Sequence, residues 1–245
     1  MFSKAQLKSI IANSTYALPA SLQQKVRRKI DQGRFNWFRT YLYQDKQEMM
    51  NEFLKHSCLF IHIPKCAGCS INNNLFPGLD SIGHVTLSEY SLVIDQKEFD
   101  DLWKFTFVRN PWDRLVSAYY FLKQGGLKGI EKPWFNEHLG EFSDFNDFVI
   151  KWLSSETVSK HAVFQIQSQY IELNGKISMD FIGRLESFDN DLKAIAQHIG
   201  LGIVHQERVN VTKKRPKYRD AYNTQTRKIV ARVYQKDIEN FGYEF

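Results

Sequence analysis

Two short stretches bring anion-binding residue types together. The first is Ile63-Pro-Lys-Cys-Ala-Gly-Cys-Ser70. If a strand enters this turn and a helix leaves it, backbone N–H groups and the positive helix end converge on one spot that suits an anion. Lys65 adds a full charge and Ser70 a hydroxyl donor. The stretch lacks the Gly-x-x-x-x-Gly-Lys-[Ser/Thr] phosphate loop, which speaks against an ordinary ATPase or kinase. It also fits a plain strand–loop–helix connection with a surface lysine. The second stretch is Phe107-Val-Arg-Asn-Pro-Trp-Asp-Arg-Leu-Val-Ser-Ala-Tyr119. Arg109 sits where a strand should end, and Ser117 two turns along the helix that follows. A guanidinium fork with a hydroxyl beside it suits a phosphate. Arg109 is also spaced to pair with Asp113, and Arg114 reads as a structural ion-pair partner.

The elements that must position these residues are readable from local pattern. Cys58-Leu-Phe-Ile-His-Ile63 is an apolar, β-favouring run closed by Pro64, as expected of a buried strand. Ser70 then begins a short helix as its N-cap. Trp103 to Val108 predicts a second strand, Asn110-Pro111 a helix start, and Gly125-Gly126 that helix's end. A loop with embedded aromatics is expected over 123–141 and a helix over 143–153. A strand is expected over 179–183, a helix over 187–198 capped at Gly200, and one amphipathic helix over 224–240. Upstream, 3–13 and 21–30 read as two helices around Pro19. The second has Leu22, Val26 and Ile30 on one face and basic residues on the others. That basic helix suits a peripheral membrane contact, or simply a solvated face. Strands alternating with helices predict an α/β fold with a central parallel sheet flanked by helices.

Composition sets broad limits. The chain has 245 residues, 43% of them hydrophobic and 24% charged, enough to bury a core. Its net charge of +6 favours anionic partners without choosing among them. Three cysteines, Cys58, Cys66 and Cys69, are too few for a disulfide framework and fit a reducing compartment. Cys66 and Cys69 form a Cys-x-x-Cys pair, but a structural zinc site needs four ligands and no second pair exists. No metal is expected. No apolar stretch approaches the ~20 residues of a membrane span, and no signal core opens the chain, so a soluble cytoplasmic protein is predicted.

Taken together, the two stretches resemble the cofactor signatures of the carbohydrate sulfotransferases that use 3′-phosphoadenosine 5′-phosphosulfate (PAPS). The heparan 2-O, uronyl and chondroitin–HNK-1 branch and its bacterial relatives are the most similar. The resemblance implies a single domain over 1–245 with a P-loop-like three-layer sandwich, residues 1–52 being a helical N-terminal extension. It implies that Lys65 binds the 5′-phosphate and bridging oxygen while Cys66, Ala67, Gly68, Cys69 and Ser70 cradle the same group. It implies that Arg109 and Ser117 hold the 3′-phosphate. Lys213 or Lys214, in the basic run 212–219, would close over that phosphate, as a late basic loop does in such enzymes; a solvated charge run is the alternative. Gly83-His84-Val85 with Tyr90 resembles the segment with the family's catalytic histidine, making His84 the expected general base, with Glu89 as a helper. His62 is the weaker candidate, because a strand histidine sharing a face with Phe60 is expected to be packed. The stretches 181–186 and 237–245 resemble those of bacterial members. The family loop usually has Thr where this chain has Cys66 and Cys69, so two hydroxyl donors are replaced by weak thiol donors.

The implied partner is a carbohydrate or other hydroxyl acceptor, not nucleic acid. Trp112, Tyr119, Tyr120, Trp134 and Phe135 are candidates for stacking on sugar rings, and Lys123, Lys128, Lys132 and His138 for meeting acidic groups. Arg184 either faces the cofactor or an acidic acceptor, or pairs with Glu186. Two other readings compete: a P-loop-type nucleoside or sugar kinase, and a non-catalytic binder of nucleic acid or membrane.

Overall fold

The computed structural model describes residues 20–30, 32–202 and 215–245. The expected helix over 3–13 and the two lysines Lys213 and Lys214 lie outside the described residues. The chain begins with α1 (Ala20–Ile30), α2 (Gln32–Thr40) and α3 (Gln47–Lys55). Then come β1 (Cys58–Ile61), α4 (Gly68–Leu75), α5 (Leu87–Val93), α6 (Gln96–Asp101) and β2 (Trp103–Val108). The long α7 (Pro111–Lys123) is followed by α8 (Lys132–Leu139), α9 (Phe145–Lys151) and α10 (Ser168–Ile171). The hairpin β3 (Glu172–Leu173) and β4 (Lys176–Ile177), β5 (Phe181–Arg184), α11 (Phe188–His198), α12 (Tyr218–Ala221), α13 (Thr224–Val233) and α14 (Gln235–Phe241) complete it.

The fold is mixed α/β around a parallel sheet in the order β1-β2-β5. All four residues of β1 are buried, as expected of a parallel strand covered on both faces. Thr106 is the polar residue of the central strand's buried part, and its hydroxyl donates to the Ile61 carbonyl at 2.7 Å. Ile61 pairs with Thr106, so the loops leaving the C-terminal ends of β1 and β2 emerge side by side. The open ends of parallel strands are where α/β proteins place ligands.

Two apolar clusters hold this frame. One joins β1 and β2 to α3, α4, α5 and α11. The other surrounds α7 and takes in α8, α9 and α13. Asn110 caps α7, accepting from the Trp112 N–H at 3.1 Å, with Pro111 at the first helical position.

Several local expectations shift. α4 starts at Gly68, so Ser70 is its third residue and not its cap. The expected loop over 123–141 contains α8, which buries Phe135 and Leu139 one turn apart. The last helix is broken at Tyr234, whose buried hydroxyl donates to the Phe164 carbonyl at 2.7 Å. Helix α1 docks only in part through its apolar stripe: Leu22 is 44% exposed and Val26 and Ile30 are half-buried, while Gln24 is buried. Three of the proposed sugar platforms, Trp112, Tyr119 and Phe135, are core residues of the α7 cluster. Among the described residues, no helix is long and apolar enough to cross a membrane.

Candidate active site

A cavity of about 300 Å³ opens at the C-terminal ends of β1 and β2. Its lining collects residues far apart in the chain: Lys65, Ala67, Gly68, Cys69 and Ser70 from the first loop, His84, and Arg109 and Ser117 from the second stretch. His62, Asp113 and Arg215 join them, with apolar walls from Phe121, Leu127, Val163, Leu185 and Phe188. Volume and mixed lining are those of a small-molecule site.

The loop from β1 to α4 is held in an unusual shape. Lys65 and Ala67 have φ of +67° and +63°, left-handed values that cost a non-glycine residue about 1–2 kcal/mol each. Neighbouring arginines hold the strain. Arg114 Nε donates to the Pro64 carbonyl at 2.9 Å, and Arg109 Nη1 donates to the Lys65 carbonyl at 3.1 Å. Among the described residues Arg114 thus forms no ion pair. It bonds carbonyls, including that of Gln165 at 2.8 Å. The cap residue of α4 is Ala67, which has no side-chain acceptor, so the helix presents its N-terminus to the cavity without a side-chain cap.

The cavity is strongly basic. Lys65, Arg109 and Arg215 line it against one carboxylate, Asp113. Asp113 sits between the arginines: Oδ2 accepts from Arg109 Nε at 2.8 Å and Nη2 at 2.7 Å, and Oδ1 accepts from Arg215 Nη1 at 2.6 Å. The Arg109–Asp113 pair foreseen as an alternative therefore exists, and Arg109 lines the cavity as well. Asp113 and Ser117 lie four apart on α7 and share its cavity face. Burial, reinforced by Arg109, pulls the Lys65 ammonium down to about 7. Burial also lowers Arg109, against the pull of Asp113. A second charge brought close to either cation is therefore favourable if it is negative.

Cys66 departs from expectation. Its side chain is buried and turned away from the cavity, with Sγ donating to Gln167 Oε1 at 3.1 Å. Burial pushes its thiol up to about 12, so it is not a nucleophile. Gln167 is a residue that local pattern missed. Fully buried, it accepts from the Arg109 N–H at 2.9 Å and donates Nε2 to the Arg109 carbonyl at 3.0 Å. It ties the two anion-binding stretches together. Asp237, also fully buried, accepts from the Gln167 and Ser168 N–H groups at 2.8 Å each.

The two histidines meet at the cavity. His84 is exposed there, and its ring stands edge-on to His62 at 4.6 Å. His62 is packed, as expected from its neighbour: it stacks on Phe60 at 5.8 Å and its Nδ1 lies 3.2 Å from Ser81 Oγ. Yet it also lines the cavity. Although the His84 ring is exposed to the cavity, desolvation by the surrounding protein, then the charges of Arg114 and Lys65, lowers it to about 4. Burial, then His84 and Lys65, holds His62 at about 3. Both rings are neutral at pH 7. Glu89 is no helper to either. It completes a capping box with Thr86 and pairs with Arg34.

A family model described as "Sulfotransferase family" matches residues 50–244, which contain every residue of this cavity. The chain belongs to the sulfotransferase family. It is thus an enzyme of sulfuryl transfer in the general sense. An uncharacterized protein of Archaeoglobus fulgidus is 28% identical over 117 residues, which cover 48% of this sulfotransferase chain and 83% of that protein. No solved structure matches. Within the sulfotransferase, Arg184 does not pair with Glu186: it bonds the Phe241 carbonyl and lies over the Tyr243 ring at 4.8 Å. Of the five aromatics considered for an acceptor, none lines the cavity. Arg215 was not singled out in sequence, although it stands in the same basic run as Lys213 and Lys214.

Proposed function

We propose that the chain is one sulfotransferase domain of P-loop-like three-layer architecture, with residues 1–52 as a helical extension, and that it transfers a sulfuryl group from PAPS to a carbohydrate hydroxyl. The observation that carries this reading is the convergence of Lys65, Arg109, Ser117, the uncapped start of α4 and a neutral His84 on one cavity. The donor's charge fits the residues present. Lys65 and Arg109 are cations depressed by burial, and the Nη2 of Arg114 is buried with no hydrogen-bond partner among the described residues.

When bound, PAPS supplies the sulfur that the acceptor oxygen attacks, the bond from sulfur to the phosphate oxygen breaking as the new S–O bond forms. The chain's own part is positioning and charge, as in phosphoryl transfer. Lys65 and the N–H groups of Gly68 to Ser70 face the negative charge that builds on the leaving phosphate. Arg109 and Ser117 hold the 3′-phosphate, with Arg215 on the far side of Asp113. His84 takes the proton of the acceptor hydroxyl, and being neutral at pH 7 it is free to accept one.

The test compares 3′-phosphoadenosine 5′-phosphate with ATP in thermal melts, then screens transfer of labelled sulfate to glycans and small hydroxyl compounds. The reading expects a larger rise in Tm with the bisphosphate than with ATP and label on a glycan. Equal stabilisation by both ligands, or by neither, would refute it.

A further inference from the structure

The family match begins at residue 50, yet the helices before it grip the segment that carries His84. That segment has little stability of its own. It turns through Gly83 at φ +87° and continues into α5, a helix of 7 residues, too short to persist alone. Among the described residues, His84 makes no hydrogen bond of its own, so the backbone on either side sets its position. Four residues reach it from upstream. The Tyr41 hydroxyl donates to the Ile82 carbonyl at 2.6 Å, two residues before His84. Arg34 pairs with Glu89, the residue that closes the capping box at the start of α5. At its other end, Gln24 Nε2 donates to the carbonyls of Ser91 at 2.7 Å and Ile94 at 2.6 Å. Arg28 takes those of Leu92 at 2.7 Å, Val93 at 3.2 Å and Ile94 at 3.3 Å.

A helix end leaves its last carbonyls open, and here all four from Ser91 to Ile94 are taken by one polar face of α1. The Arg28 charge also meets the negative end of the α5 dipole. This explains why α1 docks through Gln24 and Arg28 and leaves Leu22 in water. We propose that Gln24, Arg28, Arg34 and Tyr41 form a clamp that positions His84 in the cavity, so that the extension upstream of the matched region completes the site. The inference rests on the reading of His84 as the base.

Ring-proton NMR titration of the full chain tests it, with His84 assigned by its loss in His84→Ala. The groups around His84 are His62, Lys65, Arg114, His161 and Glu131, and none is altered in the double variant Tyr41→Phe/Arg28→Ala. In the unaltered chain His84 should stay neutral down to about pH 5. In the double variant its midpoint should rise by one pH unit or more. His62 should remain unprotonated, and the affinity for 3′-phosphoadenosine 5′-phosphate should stay within about twofold. Tyr41→Phe/Arg28→Lys, which keeps a charged donor at the end of α5, should recover most of the shift. An unchanged His84 midpoint overturns the clamp. So does a fall in bisphosphate affinity that parallels the shift, since that marks general loosening. Failure of the base reading shows elsewhere: His84→Ala would then keep its sulfate-transfer rate whatever the titration gives.

Discussion

The ammonium of Lys65 lies 3.5 Å from the centroid of the Phe121 ring, one helical turn beyond Ser117 on α7. Among the described residues no carboxylate pairs with it. The ring face offers partial compensation for a buried cation, less than an anion would. Lys65 titrates near 7 in the free protein because burial and Arg109 both disfavour its charge. A bound phosphate reverses that balance. Above pH 7, binding of 3′-phosphoadenosine 5′-phosphate should therefore take up a proton, approaching one per site near pH 8.5. Affinity should weaken toward about tenfold per pH unit there. Calorimetry at pH 8.5 in buffers of different ionisation enthalpy reads the uptake, and Lys65→Arg should abolish it. A binding heat independent of buffer would remove Lys65 from the anion site.

Acid should act through the histidine pair. Folding holds His62 near 3 and His84 near 4, whereas both take protons near 6.5 when unfolded. The unfolded state binds more protons between those values, so their stabilising contribution is full above pH 6.5 and is lost as pH falls through about 4 for His84 and about 3 for His62. For the buried His62 the slope approaches about 1.4 kcal/mol per pH unit. Denaturant melts from pH 7 to 4 should show His62→Gln flattening this slope, whatever its effect at pH 7. A parallel curve would mean that His62 is not held neutral.

The parts of the fold legible in sequence were those written in neighbouring residues. The apolar runs before Pro64 and Asn110, and the Asn-Pro helix start, located both loops of the cavity. Parallel pairing of β1 with β2 then did the rest. What escaped depends on distance along the chain. Gln167 reaches across 58 residues to Arg109, and Asp237 across 70 to Gln167; neither has a local pattern to announce it. Gln24 and Arg28 looked like a solvated face because the carbonyls they satisfy belong to the end of another helix. The aromatics of α7 and α8 looked available for sugar because local pattern does not show which face a second apolar cluster covers. The switch of Cys66 into the core likewise follows from left-handed residues on either side of it.

Gly68 is required for space. A Cβ there would lie 1.9 Å from His62 Cδ2 and Nε2. To make room the imidazole would have to leave its stack on Phe60 and its contact with Ser81 and swing into the cavity it lines. Gly68→Ala should cost about 1–3 kcal/mol of stability, as overpacking does, and displace the loop that carries Lys65. We expect at least a tenfold loss of bisphosphate affinity, read by calorimetry. His62→Ala in the same chain should recover part of it, because the obstructing ring is then gone. No recovery would place the glycine's role elsewhere.

The two cysteines of the loop should separate cleanly. Cys69 lines the cavity and Cys66 does not. Replacing Cys69 by serine puts a stronger hydroxyl donor beside the bound anion, worth about 1 kcal/mol, or about fivefold in affinity. Cys66→Ser should leave bisphosphate affinity within about twofold, since that side chain addresses Gln167 and the core. Its effect should appear instead as a change in unfolding free energy, along with the loss of a thiol that resists alkylation in the folded chain. Equal gains in affinity from both serines would show that the loop turns Cys66 outward when the anion binds, and the assignment of Cys66 to the core would then hold for the free protein alone.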